Sequence, residues 1–465
     1  MPPPRASVTS PPQHPDGLPL PRRYWAIAAI ALAITMSVLD STIVNVALPT
    51  IARELRASSA ASIWIINAYQ LAILVLLLPL ASLGEIVGYR RVSQCGLAVF
   101  TLASLACAFA PDLLTLSLAR VIQGCGAAGI MSVSGALVRF TYPHRYLGRA
   151  VGINAFVVAT SAALGPTIAS AVLAVAHWRW LFGINVPLGL IAIVIALCSL
   201  PDNERAQRRL NLAGAALYAG ALGLLLSGLQ SLAHHAATSL ALLQIGGGAA
   251  LAVLLVRHEL PRAAPIVPFD LLRVRLFSLS VVTSVCSFMA QMAALVALPF
   301  EIQRLGHSAV ETGLFMTPWP LALALAAPVA GRLADRHAAG ILGGVGLVVL
   351  ALGLGLLAAF PAQAGASGLI WRMALCGLGF GFFQAPNNRT IMAAAPRARS
   401  GAAGGMLSAA RLLGQTLGAA SVAILFRVYA GAGSHFALWL AAALALAASL
   451  VSLVRVAGRP SEEVP

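Results

Sequence analysis

Two ionisable residues lie inside long apolar segments of the sequence, where a charge is costly. Asp40 lies in the second half of an apolar run over residues 24–49, and Arg120 lies within the run 113–136. A charged side chain at the centre of a bilayer costs about 2.5–3.5 kcal/mol on insertion scales, so each must face a partner or a water-filled cavity. A buried carboxyl group can exchange a proton for another cation, whereas an arginine keeps its charge. We therefore expect Asp40 to be a proton or cation site and to be among the electrostatic partners of Arg120.

Each of these residues also has a simpler interpretation. Asp40 could lie at the end of its helix, at the membrane interface, and Arg120 could extend its guanidinium to the outer face. The elements that position the two residues decide between the interpretations.

Composition identifies the chain as a polytopic membrane protein. Hydrophobic residues make up 59% of the 465 residues, charged residues only 9%, and the mean hydropathy is +0.88. The formal charge of +16 comes from arginines, because the chain has no lysine. These arginines belong in short loops on one side of a membrane, so no nucleic-acid partner is expected. The six cysteines form no CxxC pair, which argues against metal sites and disulfides.

Apolar runs of about 20 residues, the length that crosses a bilayer, occur fourteen times. The predicted fold is an all-α membrane protein with two six-helix bundles and two additional helices between them, which we expect to be peripheral and lipid-facing. The predicted parts are a disordered tail (1–23), the first bundle (24–200), two extra helices (201–260), a cytoplasmic linker (261–276), the second bundle (277–457) and a tail (458–465). Arginines concentrate in alternate connections, which predicts that both termini are cytoplasmic.

The two halves carry similar cytoplasmic turns. Glu85, Gly88, Arg90 and Arg91 follow the second span. Gly331, Asp335 and Arg336 follow the tenth, and the two acids are 335 − 85 = 250 residues apart. We expect each set to be a latch that pairs an acid with arginines in one conformation and releases them in the other. Ordinary positive-inside charge with a compensating acid is the alternative. A duplicated architecture is typical of transporters, with the substrate site between the halves.

These motifs resemble the major facilitator superfamily, in particular its drug:proton antiporter branch with fourteen spans, which includes QacA-like, EmrB-like and SmvA-like exporters. The turn after the second span resembles the family's signature motif, although Ala81 replaces its first glycine and Ile86 an arginine. The run Arg120–Gly126 resembles the fourth-helix motif Arg-x-x-Gln-Gly-x-Gly, whose arginine is associated with proton coupling. Gly165 and Pro166 resemble the antiporter motif of exporters, and physically they indicate close helix packing and a hinge. The run His177–Pro187 resembles the outer-end motif of the same branch.

Further candidate residues follow from their position in the spans. Glu301 closes the ninth span at its outer end and is either a second proton site or an interfacial carboxylate in water. Polar residues that we expect to line the substrate site share a position within apolar segments. The predicted substrate-binding set is Asp40, Asn45, Tyr69, Asn154, Gln384, Asn387 and Asn388. Helix–helix hydrogen bonding explains the amides in the twelfth span equally well.

The resulting prediction is a proton-coupled multidrug exporter, not an enzyme, in a bacterial inner membrane. Its expected substrates are lipophilic and cationic, such as quaternary ammonium compounds, dyes or methyl viologen. No cofactor is expected, since no nucleotide-binding motif is present and the proton gradient supplies the energy. The expected partners are small substrates, protons and membrane lipids around a monomer, and no large outer loop is present for a periplasmic adaptor. The alternatives are export of a metabolite (an amino acid, siderophore or lipid) in the same fold, a passive channel, and a sensor without transport.

Overall fold

The computed structural model describes residues 17–143, 146–202, 210–233, 238–262, 265–334, 336–359, 365–396, 399–429 and 431–457. Within these ranges the chain forms α-helices and no strand. The helices are α1 (Arg22–Glu54), α2 (Ser59–Ser62), α3 (Trp64–Val87), α4 (Tyr89–Phe109), α5 (Leu113–Thr141), α6 (Leu147–Val175), α7 (Trp180–Gly183), α8 (Asn185–Ser199), α9 (Leu212–Ala233), α10 (Thr238–Glu259), α11 (Phe269–Leu272), α12 (Arg275–Arg304), α13 (Ala309–Met316), α14 (Pro318–Leu333), α15 (Ala339–Ala358), α16 (Ala366–Ala393), α17 (Ser400–Val428) and α18 (Gly433–Ala457).

Fourteen helical segments are long and apolar enough to cross a membrane, which confirms the predicted number. Three of these spans consist of a short helix and a longer one, namely α2 with α3, α7 with α8, and α13 with α14. In lipid the backbone N–H and C=O groups must find partners within the segment, so these apolar runs are helical apart from the breaks in these three spans.

The two halves use glycines to pack matching pairs of helices. A Cβ atom added at Gly126 of α5 would lie 2.4 Å from the backbone nitrogen of Phe100 in α4. A Cβ atom added at Gly379 of α16 would lie 2.4 Å from the backbone nitrogen of Leu350 in α15. Only glycine permits such close approach of two helix backbones. The repetition agrees with the two predicted bundles, α1–α8 and α12–α18.

The two extra helices differ in their contacts. Helix α9 packs against α3 and α17, which belong to different halves, and the hydroxyl of Tyr218 donates to the carbonyl of Leu74 at 3.2 Å. Helix α10 packs along α9. Both helices are largely exposed, which agrees with the expected peripheral position, although α9 also contacts both halves. The apolar face of α9, which includes the buried Tyr218, covers the seam between α3 and α17.

The halves contact each other between the outer ends of α6 and α13, and also along α3 and α17. Ser170 of α6 donates to the carbonyl of Val310 in α13 at 3.0 Å, and the hydroxyls of Thr167 and Thr317 lie 2.9 Å apart. Nearer the cytoplasm, a Cβ atom added at Gly135 of α5 or at Gly404 of α17 would meet no described atom within 4 Å. The contacts between α6 and α13 at the outer side, together with the space beside these two glycines, fit an inward-facing conformation.

Candidate functional site

The carboxylate of Asp40 lies in the interior of the N-terminal half, between α1, α5 and α8. It forms an ion pair with Nη1 of Arg120. Its Oδ1 atom accepts hydrogen bonds from the amides of Gln123 and Asn185, each at 2.9 Å. The Asp40 side chain is 1% exposed. Both carboxylate oxygens are thus occupied, as a buried charge requires.

The guanidinium of Arg120 is held from four directions. Besides Asp40, its Nη1 donates to the side-chain oxygen of Gln123 at 2.6 Å, and its Nε donates to the carbonyl of Ile65 at 3.1 Å. The centre of the guanidinium lies 4.0 Å from the ring centroid of Tyr69. Cation–π contact of this kind favours a desolvated arginine. Arg120 is therefore fixed in one orientation.

The predicted pairing of Asp40 with Arg120 is confirmed. Both side chains are 1% exposed, so neither reaches the membrane interface and both interfacial alternatives are wrong. A substrate would reach the Asp40 carboxylate only after this ion pair opens. The proton-coupling role of the pair and substrate binding by Asp40 stay predictions.

Two amides that hold Asp40 were not selected as site residues from the sequence. Gln123 belongs to the fourth-span motif and Asn185 to the outer-end motif. Gln123 also donates to the hydroxyl of Ser104 at 2.9 Å, which fixes the orientation of its amide. The signal for both was present as polar residues within apolar runs, but only the packing of α8 against α1 shows that Asn185 reaches Asp40.

The predicted substrate-binding residues occupy different environments. Tyr69 is buried beneath Arg120, and its hydroxyl donates to the carbonyl of Ser37 at 3.0 Å. Asn45 is 3% exposed, and its side-chain oxygen has no hydrogen-bond partner among the described residues. Three further members of the set are half-buried, namely Asn154 on α6 and Gln384 and Asn388 on α16.

Asn387 belongs to a separate polar network in the C-terminal half. Its amide nitrogen donates to Ser284 Oγ at 2.8 Å, and its oxygen accepts from Nη1 of Arg455 at 2.6 Å. Arg455 also donates to Ser280 and Ser452, at 2.8 Å and 2.5 Å. Asn387 is 1% exposed and joins α12, α16 and α18. The expectation that Asn387 lines the cavity is therefore wrong in this conformation, and the alternative of helix–helix hydrogen bonding describes it. No sequence motif singled out Arg455 as a site residue.

Glu301 lies at the outer end of α12, as expected. It forms an ion pair with Arg304 at 2.5 Å and accepts a hydrogen bond from Ser434, also at 2.5 Å. Its side chain is 16% exposed. Each carboxylate oxygen is thus engaged at the outer surface, and the role of Glu301 in proton coupling stays a prediction.

The predicted latch after the second span forms the turn between α3 and α4. Gly88 joins the two helices with φ +109°, a conformation that favours glycine. Arg90 forms an ion pair with Asp202 at 3.1 Å and donates to the carbonyl of Leu197 at 2.6 Å. Arg91 is exposed, and Glu85 is engaged with neighbouring groups. The turn thus ties α4 to the end of α8.

The predicted second latch is described only in part. Gly331 lies in α14, where an added Cβ atom would meet no described atom within 4 Å, and Arg336 is exposed. Asp335 lies outside the described residues. Its latch function stays a prediction.

The predicted hinge in α6 lies where three helices meet. A Cβ atom added at Gly165 would lie 2.0 Å from Oγ1 of Thr42 in α1. The carbonyl of Pro166 would lie 2.6 Å from a Cβ atom added at Gly313 of α13. Close packing by small residues is therefore confirmed, and bending at Pro166 stays a prediction. In the part of the chain that is described, no group of three or more His, Cys, Asp or Glu residues could hold a metal ion.

Fourteen spans, two matching bundles in contact with each other, and a buried ion pair inside the first bundle define a membrane transporter of the duplicated-bundle class. The sequence model of the Major Facilitator Superfamily matches residues 30–419 and 280–465. The chain belongs to this superfamily, in its drug:proton antiporter branch with fourteen spans.

Individual relatives agree with this assignment. The chain is 52% identical over 444 residues to the uncharacterized transporter YebQ of Escherichia coli (strain K12), covering 95% of this chain and 97% of that protein. It is 32% identical to the multidrug resistance protein Stp of Mycobacterium tuberculosis (strain CDC 1551 / Oshkosh), covering 90% and 76% of the two chains. A solved POT family transporter in complex with a thioalcohol conjugated peptide has the same fold, with a TM-score of 0.71 at 15% identity and coverage of 92% and 95%.

Proposed function

We propose that the protein is a proton-coupled exporter that moves lipophilic compounds out of the cytoplasm across a bacterial inner membrane. The observation that carries the proposal is the buried ion pair of Asp40 with Arg120. Asp40 is the one carboxylate among the described residues that lies in the interior of a helix bundle away from both membrane surfaces. The name of the relative Stp, a multidrug resistance protein, supports export of drugs.

Protonation of Asp40 would neutralise the carboxylate of this ion pair. Arg120 would then lose its charged partner while it keeps its own charge, and the buried guanidinium would need a new acceptor. Such a change alters the relative energies of the inward-facing and outward-facing conformations. A proton that enters across 100 mV releases about 2.3 kcal/mol per charge, which can drive a compound against its gradient.

The proposed cycle begins from the inward-facing conformation. Here the ionised Asp40 is paired, and the open cytoplasmic side admits the substrate. The outward-facing conformation would release the substrate and admit a proton to Asp40. Protonated Asp40 would favour the return to the inward-facing conformation, where the proton leaves to the cytoplasm and the ion pair forms again.

The expectation of a cationic substrate rests on an acidic cavity with few competing charges and on the resemblance to drug exporters. Both oxygens of Asp40 are occupied by Arg120, Gln123 and Asn185. A cation would have to compete with the guanidinium of Arg120 for this site. The charge preference of the exporter therefore depends on the residues that line the open cavity.

The experiment that tests the proposal is efflux from proteoliposomes with an imposed proton gradient. Ethidium and methyl viologen are the first substrates, followed by a panel of amino acids, siderophores and lipids. We expect gradient-driven efflux by the wild type, and none by the Asp40→Asn protein. Flux that continues after the gradient is collapsed would indicate a channel, and transport confined to one metabolite would indicate the alternative exporter.

Asp112 offers a matched control. It caps α5 in a loop between two spans, where the backbone N–H of Thr115 holds the pKa of its carboxyl below the usual range. The Asp112→Asn protein has the same change of charge outside the bundle and should keep full efflux. Gradient-driven efflux by the Asp40→Asn protein at the wild-type rate would refute the mechanism.

A further inference from the structure

A second arginine in the middle of a span is not part of the Asp40 cluster. Arg411 is the twelfth residue of the 29-residue helix α17. At about 1.5 Å per residue it lies ~17 Å from the cytoplasmic start of the helix. An arginine at this depth needs an acceptor or water.

The contacts of α17 show which way Arg411 points. Gly414 and Gly418 pack against the backbone of α12, and Gly405 faces Leu78 of α3. Met406 and Ala410 pack in one cluster with Tyr218 of α9, on the outside of the seam. At about 100° per residue, Arg411 lies next to the α12-facing glycines and ~100° or more from the residues that face α9. The remaining sector of the helix faces the interior between the halves.

Gly404 shows that this sector borders open space. It precedes Arg411 by seven residues, which leaves only ~20° between their directions. A Cβ atom added at Gly404 would meet no described atom within 4 Å. Ser408 and Gln415, one turn before and after Arg411, are half-buried on the same face. Arg411 thus lies where the α12-facing glycines adjoin this open sector, at the edge of the space between the halves.

The guanidinium of Arg411 has no counter-charge among the described residues. Its Nε atom is shielded from solvent and has no hydrogen-bond partner among the described residues. No carboxylate in the described part of the chain forms an ion pair with it. Asp40, which could in principle balance this charge, is neutralised by Arg120. Among the described residues, Arg411 therefore contributes a positive charge that no ion pair compensates.

We propose that Arg411 binds the anionic group of the transported compound, so that the substrates are lipophilic anions such as carboxylates, sulfonates or phenolates. A planar guanidinium with free N–H donors matches the oxygens of such groups and can bind them bidentately. The unpaired Arg411 is costly to keep at mid-span, and an anionic substrate removes that cost. The transport part of this proposal rests on the exporter function proposed above, whereas the charge of the cavity does not.

The charge of the cavity can be measured without a known substrate. Gln415→Cys, in a full-length protein whose six native cysteines are replaced, places a thiol one turn from Arg411. Its rates of reaction with anionic methanethiosulfonate ethylsulfonate and cationic methanethiosulfonate ethyltrimethylammonium are compared. The ratio of the two rates cancels any change in the ionisation of the thiol. We expect Arg411→Gln to lower the anion-to-cation ratio about fivefold or more, and Arg411→Lys to retain it.

Transport is measured with two dyes that share a xanthene frame, anionic carboxyfluorescein and cationic rhodamine 123. The proteoliposomes contain zwitterionic lipid only, so that a lipid headgroup does not supply the anion. We expect gradient-driven export of carboxyfluorescein that falls at least tenfold in Arg411→Gln, with rhodamine 123 a poor substrate. Arg372→Gln is the matched control, since Arg372 lies in the outer first turns of α16 and donates to the carbonyl of Gly368 at 2.7 Å.

The two measurements separate the possible failures. A rate ratio that Arg411→Gln does not change overturns the anion site. Export of rhodamine 123 without carboxyfluorescein, unaffected by Arg411→Gln, also overturns it but leaves the exporter function intact. A ratio that depends on Arg411, with neither dye exported, supports the anion site and counts against the proposed drug export.

Discussion

The guanidinium of Arg120 and the carboxylate of Asp40 form an ion pair in which each side chain is only 1% exposed. The partners come from α5 and α1, and the amides of Gln123 and Asn185 complete the coordination of the carboxylate. A pair this deeply buried is stable only as a unit, because either partner alone is an uncompensated charge. A single protonation event at Asp40 therefore affects several helices at once.

A double-mutant cycle tests this unit. Arg120→Gln leaves the Asp40 carboxylate without a counter-charge, so we expect a loss of about 3–5 kcal/mol of stability in thermal unfolding. The double variant Asp40→Asn with Arg120→Gln replaces both charges by amides and should lose less than Arg120→Gln alone. If the two substitutions destabilise additively, the pair is not coupled as described.

The outer closure depends on a glycine at the contact between the halves. A Cβ atom added at Gly313 would lie 1.9 Å from Oγ of Ser170 and 2.6 Å from the carbonyl of Pro166. Gly313→Ala should therefore push α13 from α6 and favour the outward-facing conformation. We expect a Cys placed at Thr317 to react at least about tenfold faster with an impermeant maleimide added from outside.

Gly223→Ala is the control for this substitution. Gly223 lies in α9, where an added Cβ atom would meet no described atom within 4 Å, so labelling of Thr317→Cys should keep its original rate. Equal labelling in the Gly313→Ala and Gly223→Ala proteins would contradict the role of Gly313 in outer closure.

The network around Arg455 predicts a structural role for Asn387. Asn387→Ala removes an acceptor from Arg455 and a donor to Ser284, and leaving such buried groups unpaired costs about 1–3 kcal/mol each. We expect a lower unfolding temperature with an unchanged order of preference among transported dyes. Asn388→Ala, one residue along the half-buried face, should leave the unfolding temperature nearly unchanged. A changed substrate order with full stability in Asn387→Ala would restore its assignment to the substrate site.

The contact of α9 with α3 gives a fourth prediction. Tyr218→Phe removes the hydrogen bond to the carbonyl of Leu74 and should cost about 1 kcal/mol of stability. Tyr24→Phe is the control, since Tyr24 is 66% exposed and the same change there should have little effect on thermal unfolding. Equal unfolding temperatures for the two variants would show that the hydrogen bond does not hold α9 to the seam.

Several features of the site were predictable because they depend on local chemistry. A charge within an apolar run must find a partner, so Asp40 and Arg120 could be identified and paired from the sequence. Gly88 marked a tight turn because the turn needs a positive φ. Asn387 was misplaced because a polar residue in a span faces a cavity or a neighbouring helix, and the sequence pattern is the same for both. Arg455 and Arg411 were missed as site residues for the same reason.

The sequence by itself determined the membrane class, the fourteen spans and the duplicated halves, since hydropathy and helix length follow from the composition of each segment. Only the tertiary structure decided which side of each helix meets a neighbour and which borders open space. That choice depends on the rotation of packed helices and on the conformation of the transporter, neither of which is encoded in a single segment. It separates Arg120, paired in the interior of a bundle, from Arg411, whose Nε atom has no hydrogen-bond partner among the described residues.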